Sequence, residues 1–539
     1  MFKINPQSRV KLCKVPFQND YHDIIDFQTK NAQRNYFESV WTREFDNFVY
    51  IRKNSQIKVE ANIDEIINNN YLFFHNLGYT DEYYFCFITN MEYVNENTTL
   101  ITYETDVWQT WCFNIGWHPC FIEREHVTND TIGANTVPEG LETGEYICNS
   151  HVIDDHLGNM LDDLTYILSL SVDMHTIDLG NKTIEPSGVR RYNGIISGTA
   201  YYRLDFSGLI NTYLEELTEI GNISAINGLF MAPKELAQQQ IDDVPERSPN
   251  EIKESNAPAE YNNTIAKNYN LNGYTPKNNK LFVYPYNFLV VSNNQGTSQI
   301  MRYEDFNSSS CDFKIQMCIT PGCSIRMIPL NFKNISENDD YGINMGKLPV
   351  CSYNVDMYTN WLTQNSINVG GTTITSDQVN VANNVLSGFG SSLGSLISGN
   401  LGGVVGGLQS TFTSTYNSLL QTQQHNMLSG VSGGNLNSGD VVTASNKNTF
   451  HFYKMSVRSE FAKIIDEYFT IYGYKVNRVK NIELHTRKNF NYYKTVGCNL
   501  TGDFPQEDVN RLRQMFDVGV TMWHNPATMF DYSADNAVG

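Results

Sequence analysis

Between Asp377 and Asp440 the chain contains no Lys, Arg, Asp or Glu. No other feature limits the fold as strongly, because an apolar run without charge needs something to cover it. Its centre reads "VLSGFGSSLGSLISGNLGGVVGGL", Val385 to Leu408. On a helix, Leu386, Phe389, Leu393, Leu396, Ile397, Leu401, Val404, Val405 and Leu408 step by three and four into one apolar stripe, with only Gly, Ser and Asn opposite. Such a helix would be about 36 Å long, enough to cross a hydrocarbon core of roughly 30 Å. It does not form alone in water, because each interior glycine costs about 1 kcal/mol relative to alanine and the stretch holds eight. Burying the apolar residues returns roughly 1.5–3 kcal/mol apiece, but only against a partner surface or a membrane. The segment is therefore conditional. Small residues at four-residue spacing (Gly390/Gly394, Gly402/Gly406, Gly403/Gly407) allow close helix approach in a bilayer. Phe412, Tyr416, Leu419 and Leu420 continue the apolar character, so a hairpin bent at the glycines is a second form. A plain Gly/Ser linker has no need of an in-phase stripe, and a core helix seldom carries so much glycine. Membrane interaction is the expectation.

The rest of the chain is of another kind. Its 539 residues and net charge of −20 suggest three or four domains on length alone and disfavour a broad grip on nucleic acid, which Lys and Arg drive. An acidic wall suits a surface that DNA slides past. Tyr (32) and Phe (29) lift the aromatic share to 12%, which favours pleated structure. "DEYYFCFITNMEYV" and "TTLITYETDVWQTWCFNI" read as strands around a turn at "NEN", and "LDDLTYILSLSVDM", "NKLFVYPYNFLVVSNNQG" and "CDFKIQMCITPGCSIRMIPL" add more. Residues 240–280, rich in Pro, Asn and charge, predict an exposed loop. Two helices follow the tract. "SEFAKIIDEYFTIYG" carries a face of Phe461, Ile464, Ile465, Tyr468 and Phe469 and stops at Gly473; "PQEDVNRLRQMFDVG" runs from Pro505 to Gly519. The fold class expected is mainly β with some α, a multi-domain α+β chain.

Signals for catalysis or cofactors are poor. "GFGSSLG" has the wrong spacing for a dinucleotide loop, no GxxxxGK[ST] occurs, and the ten cysteines show no zinc spacing. Asp154, Asp155 and His156, with Asp162 and Asp163, are the acidic clusters capable of metal or acid–base work; solvated loop carboxylates are the plainer reading. His126 and His524 stand without a recognisable partner, as hydrogen-bonded structural residues. Lys475, Arg478, Lys480, Arg487, Lys488 and Lys494 concentrate the positive charge, as a solvated face or subunit interface more than a DNA contact. No enzyme, cofactor or metal is expected. "MFKINPQSRV" has no apolar core of a signal peptide, so cytoplasmic synthesis with reduced thiols is expected.

"YETDVWQTWCFNI" with "CFIEREHV" (Tyr103 to Val127) and the long run "YGYKVNRVKNIELHTRKNFNYYKT" to "GDFPQEDVNRLRQMFDVGVTMWHN" (Tyr472 to Asn525) resemble the tail-knob, or distal tail tube, proteins of small short-tailed phages of Gram-positive hosts. "VPFQNDY" and "LFVYPYNF" resemble the same family. The resemblance implies β-rich tube domains from residues 1–140 and 446–539, outer domains from 141–360, and a membrane-active loop at 361–445. It further implies a homo-hexamer joined to other tail proteins, whose six loops plug the lumen and later form a channel in the host cytoplasmic membrane for the genomic DNA. A free-standing pore-forming toxin and a tail-associated cell-wall-degrading enzyme are the alternatives.

Overall fold

A computed structural model describes residues 8–351, apart from 47–49, 52–54, 77–81, 158–162, 205–206, 221, 223–224, 239–249, 320–323 and 346–349, together with 449–538. The chain divides into two compact units, fewer than length alone suggests, and each gathers separated stretches: 1–144, 273–283 and 459–539 in the first, 145–272 and 284–458 in the second. Strands dominate both, as the aromatic-rich alternation predicts.

The first unit holds a seven-stranded antiparallel sheet whose inner members are Gln56–Val59, Ser8–Cys13, Tyr71–Asn76, Tyr83–Asn95 and Thr98–Thr105. The "NEN" turn joins the last two, with Asn95 accepting from the Asn97 amide at 3.0 Å. The second half of "TTLITYETDVWQTWCFNI" is not strand but a short helix, Val107–Trp111. Asp106 decides this: its carboxylate caps the Trp108 and Gln109 amides at 3.1 Å and accepts from Tyr71 Oη at 2.9 Å, a local cap that alternation does not register.

A five-stranded sheet runs Asp23–Ile25, Val520–Trp523, Phe490–Val496, Cys120–Glu125, Tyr474–Lys480. Asp23–Ile25 and Val520–Trp523 pair in parallel, and Trp523 Nε1 donates to Asp23 Oδ1 at 2.8 Å. Trp111 Nε1 likewise donates to Asp508 Oδ2 at 2.9 Å on helix Gln506–Val518. Segments near the two ends of the chain thus share one sheet. Both expected helices form. Ser459–Tyr472 ends at Gly473 (φ 63°), where any Cβ would collide with the Glu125 carbonyl. Its buried face is Ala462, Ile465, Asp466 and Phe469, while Ile464 is 64% exposed. The face is rotated from the apolar expectation because Asp466 is satisfied inside: it accepts from the Lys277 and Asn278 amides at 2.7 and 3.0 Å and from Tyr274 Oη at 2.6 Å.

The second unit contains three main sheets. Tyr146–Ile153, His451–Val457, Asn287–Ser292 and Ser298–Met301 form one; Ala200–Leu204, Leu164–Leu170, Ile226–Pro233 and Val350–Cys351 another. The third is built on Ala259–Ala266, Ser310–Met317 and Ile325–Phe332. The loop expected over 240–280 therefore contains a strand. Only Tyr261 and Ile265 of Ala259–Ala266 are buried, too sparse an alternation to stand out among Asn and Pro. One contiguous core, including Phe230, Phe313, Phe450 and Phe452, ties the sheets together.

Candidate functional site

The nine residues of the apolar stripe, Leu386 to Leu408, lie outside the described residues, as does all of 352–448. The described chain supplies the frame around them. On the N-terminal side, Val350–Cys351 is the edge strand on Ile226–Pro233, with Phe230 opposite Val350. On the C-terminal side, His451–Val457 is an inner strand between Tyr146–Ile153 and Asn287–Ser292. Thr449 and Phe450, which enter that strand, are completely buried. Thr449 Oγ1 donates to the Asp154 carbonyl at 2.9 Å, and the Asp154 amide donates to the Phe450 carbonyl at 2.9 Å. Beside them His151 Nε2 and His451 Nδ1 are 2.8 Å apart, with His151 stacked on Tyr453. The described residues on either side of 352–448 are thus rooted in sheets of the second unit. Among the described residues, no helix is long and apolar enough to cross a membrane.

The acid–base candidates are built into structure. Asp154 accepts from Tyr261 Oη at 2.7 Å and from the His156 amide at 3.2 Å; burial pushes its carboxyl up. His156 hydrogen-bonds Glu235 through Nδ1 and lies 3.7 Å from Asp155. Burial alone would lower this imidazole, but the Glu235 bond and charge outweigh it and raise it. Asp163 contributes its carbonyl to the Lys234 amide, and Asp162 lies outside the described residues. His126 is not partnerless. Its Nδ1 accepts from the Tyr492 amide at 2.7 Å and its Nε2 meets the Thr470 carbonyl at 3.0 Å; burial pushes it down to about 3. His524 has partners too: Asn491 Oδ1 at 2.8 Å, with Asp26 and His485 beside it. These partners are hundreds of residues away or across a sheet, so spacing along the chain does not reveal them.

Three of the six residues of the basic run, Lys480, Lys488 and Lys494, are ion-paired within the first unit. Lys480 pairs with Glu125 at 3.0 Å, Lys494 with Glu123 at 3.0 Å and Lys488 with Asp535 at 3.5 Å, while Arg487 donates to the Val127 carbonyl at 2.7 Å. The Lys475 amide donates to Glu139 at 2.9 Å. Glu139 itself, with a fully buried side chain, also pairs with Arg124 and Lys280. Arg478 and Val479 stay exposed. Phe121, Val479 and Val496 stand in one row across the strands Phe490–Val496, Cys120–Glu125 and Tyr474–Lys480, and are 38, 70 and 57% exposed. That is an apolar face at a sheet edge, which single-strand alternation does not predict.

Residues 250–537 match the family model described as Bacillus phage phi29, tail knob protein gp9, C-terminal domain, and residues 6–116 match the caudoviral major tail protein N-terminus. The chain is 26% identical to the tail knob protein gp9 of Bacillus phage B103 and 25% identical to that of Bacillus phage phi29, covering 97% of each chain in both comparisons. Among solved structures, the tail knob protein gp12 of bacteriophage C1 superposes with a TM-score of 0.66 at 13% identity, over 99% of this chain and 100% of that one, which is a likeness of fold.

Proposed function

From this chain's membership of the phi29 tail knob protein gp9 family, which makes it a structural component of a phage tail, we propose that it forms a hexameric distal tail tube. Its uncharged loops close the lumen before infection and then enter the host cytoplasmic membrane, forming the channel through which DNA leaves. It acts without catalysis or cofactor, in contact with the neighbouring tail proteins. The observation that carries this reading is the stripe Leu386, Phe389, Leu393, Leu396, Ile397, Leu401, Val404, Val405 and Leu408, set in a region without charge between two sheet-anchored ends. An uncharged segment escapes like-charge repulsion when six copies meet in a lumen, and it avoids the cost of carrying charge into lipid. The exposed row Phe121, Val479 and Val496 supports ring assembly, as an apolar face needing a cover. The acidic balance supports passage of DNA without adhesion.

Dye release from liposomes tests the loop. Leu396→Asp with Val404→Asp places two charges in the stripe, at roughly 2.5–3.5 kcal/mol each for a mid-membrane position. Loss of release at unchanged oligomer size is the expected result. Equal release by both proteins would move the membrane activity elsewhere in the chain.

A further inference from the structure

The first unit contains a convergent set of donors that tail-tube architecture does not require. Asp26 directly follows strand Asp23–Ile25, His524 directly follows strand Val520–Trp523, and His485 lies in the turn before strand Phe490–Val496. Asp26 Oδ2 lies 3.0 Å from His485 Nε2 and 3.5 Å from His524 Nδ1. All three residues offer a donor atom within 4.8 Å of the others.

Close as they are, the donors are not hydrogen-bonded to one another. Asp26 Oδ2 and His524 Nδ1 are buried and without a hydrogen-bond partner among the described residues. Asp26 is 3% exposed and the His524 side chain 7%. The tautomer of His524 is fixed from behind. The Arg487 amide donates to Asn491 Oδ1, so that oxygen is an acceptor, and His524 Nε2 must be the nitrogen that donates to it at 2.8 Å. In the neutral ring this leaves Nδ1 as a bare lone pair facing a carboxylate oxygen. Two buried lone pairs that face each other repel unless a cation lies between them. A tetrahedral ion about 2.0–2.1 Å from each ligand holds the ligand atoms about 3.4 Å apart, close to the two distances found. The Asn491 contact is also the outer-shell bond that metal-binding imidazoles use for orientation.

Among the described residues, the other two clusters of this kind lack the same need. Asp173 and Glu251 already flank the Arg190 guanidinium at 2.8 and 3.0 Å, and Asp154 and His156 are engaged by Tyr261 and Glu235. Among the described residues, it is the cluster at Asp26 that lacks a positive charge beside its buried carboxylate.

We propose that Asp26, His485 and His524 bind one divalent transition-metal ion of the zinc class, with the fourth position taken by water. The ion staples the two chain ends: the Asp26 amide already donates to the Trp523 carbonyl at 2.8 Å, and the metal closes the same junction through side chains.

The test uses the full-length chain, stripped with chelator and titrated with Zn²⁺ by calorimetry and with Co²⁺ by visible absorption. His485→Asn is the variant of choice, because position 485 has φ 61° and Asn tolerates that left-handed backbone; Asp26→Asn is the second. The expected result is one ion per chain, a tetrahedral Co²⁺ spectrum, and an unfolding midpoint raised by about 5 °C or more by saturating Zn²⁺, all lost in both variants while the far-ultraviolet dichroism is retained. Zinc binding that persists in both variants, or a midpoint that ignores both chelator and Zn²⁺, would overturn the site and leave His524 as an imidazolium paired with Asp26.

Discussion

At the scale of single residues, the polar groups that matter are those made neutral or satisfied by burial. His126 is the clearest. Burial holds its folded pKa at about 3, below the ordinary value of 6.5. The unfolded chain therefore takes up the proton first, and the stability present above pH 6.5 is lost as pH falls toward 3. The slope is about 1.4 kcal/mol per pH unit for one such group. Asp106, pushed up to about 6 by burial, acts in the opposite sense below that pH. A His126→Asn variant retains the Asp106 contribution and loses that of His126. Its denaturant stability should accordingly fall less than that of the wild type between about pH 6 and 4, although it starts lower because the Tyr492 amide and Thr470 carbonyl lose their partner. Parallel pH profiles would show that His126 is not the titrating group.

At the scale of elements, the edge strand Tyr474–Lys480 bears most directly on assembly. Its Val479 continues a row begun by Val496 and Phe121, and all three face solvent. A substitution at a 70% exposed position costs the isolated fold within about 0.5 kcal/mol, yet it places charge in any contact built on that row. If the proposed ring uses this row, Val479→Glu should shift the protein toward monomer in light scattering while leaving thermal unfolding of the monomer unchanged. An unaltered oligomer would place the ring contact on another face. The helix Ser459–Tyr472 was legible from its glycine stop and its period. Its buried face was not, because Asp466 gains its partners from residues 274–278, far away in sequence.

At the scale of the whole molecule, the proposed function separates a folded scaffold from an uncharged insertion. The strands at both ends, Val350–Cys351 and His451–Val457, draw their pairing from other parts of the second unit. Deleting Val385–Leu408 should therefore leave the unfolding midpoint and oligomer size unchanged and abolish liposome leakage. A collapse of the oligomer would mean that the tract holds the ring together. Retained leakage would mean that the channel is built by other residues.

The sequence by itself determined the β-rich class, the two C-terminal helices with their glycine stops, the family resemblance and the unusual tract, because each is written in local pattern: alternation, capping residues, or the absence of charge over a continuous run. It did not disclose the strand Ala259–Ala266, whose two buried side chains are diluted among polar ones, nor the helix capped by Asp106. Only the tertiary structure brought Asp26 to His485 and His524, joined the chain ends in parallel, and aligned Phe121, Val479 and Val496 into one face. Those contacts depend on strand register between distant segments. Register is fixed by the packing of the completed core and leaves no mark in neighbouring residues.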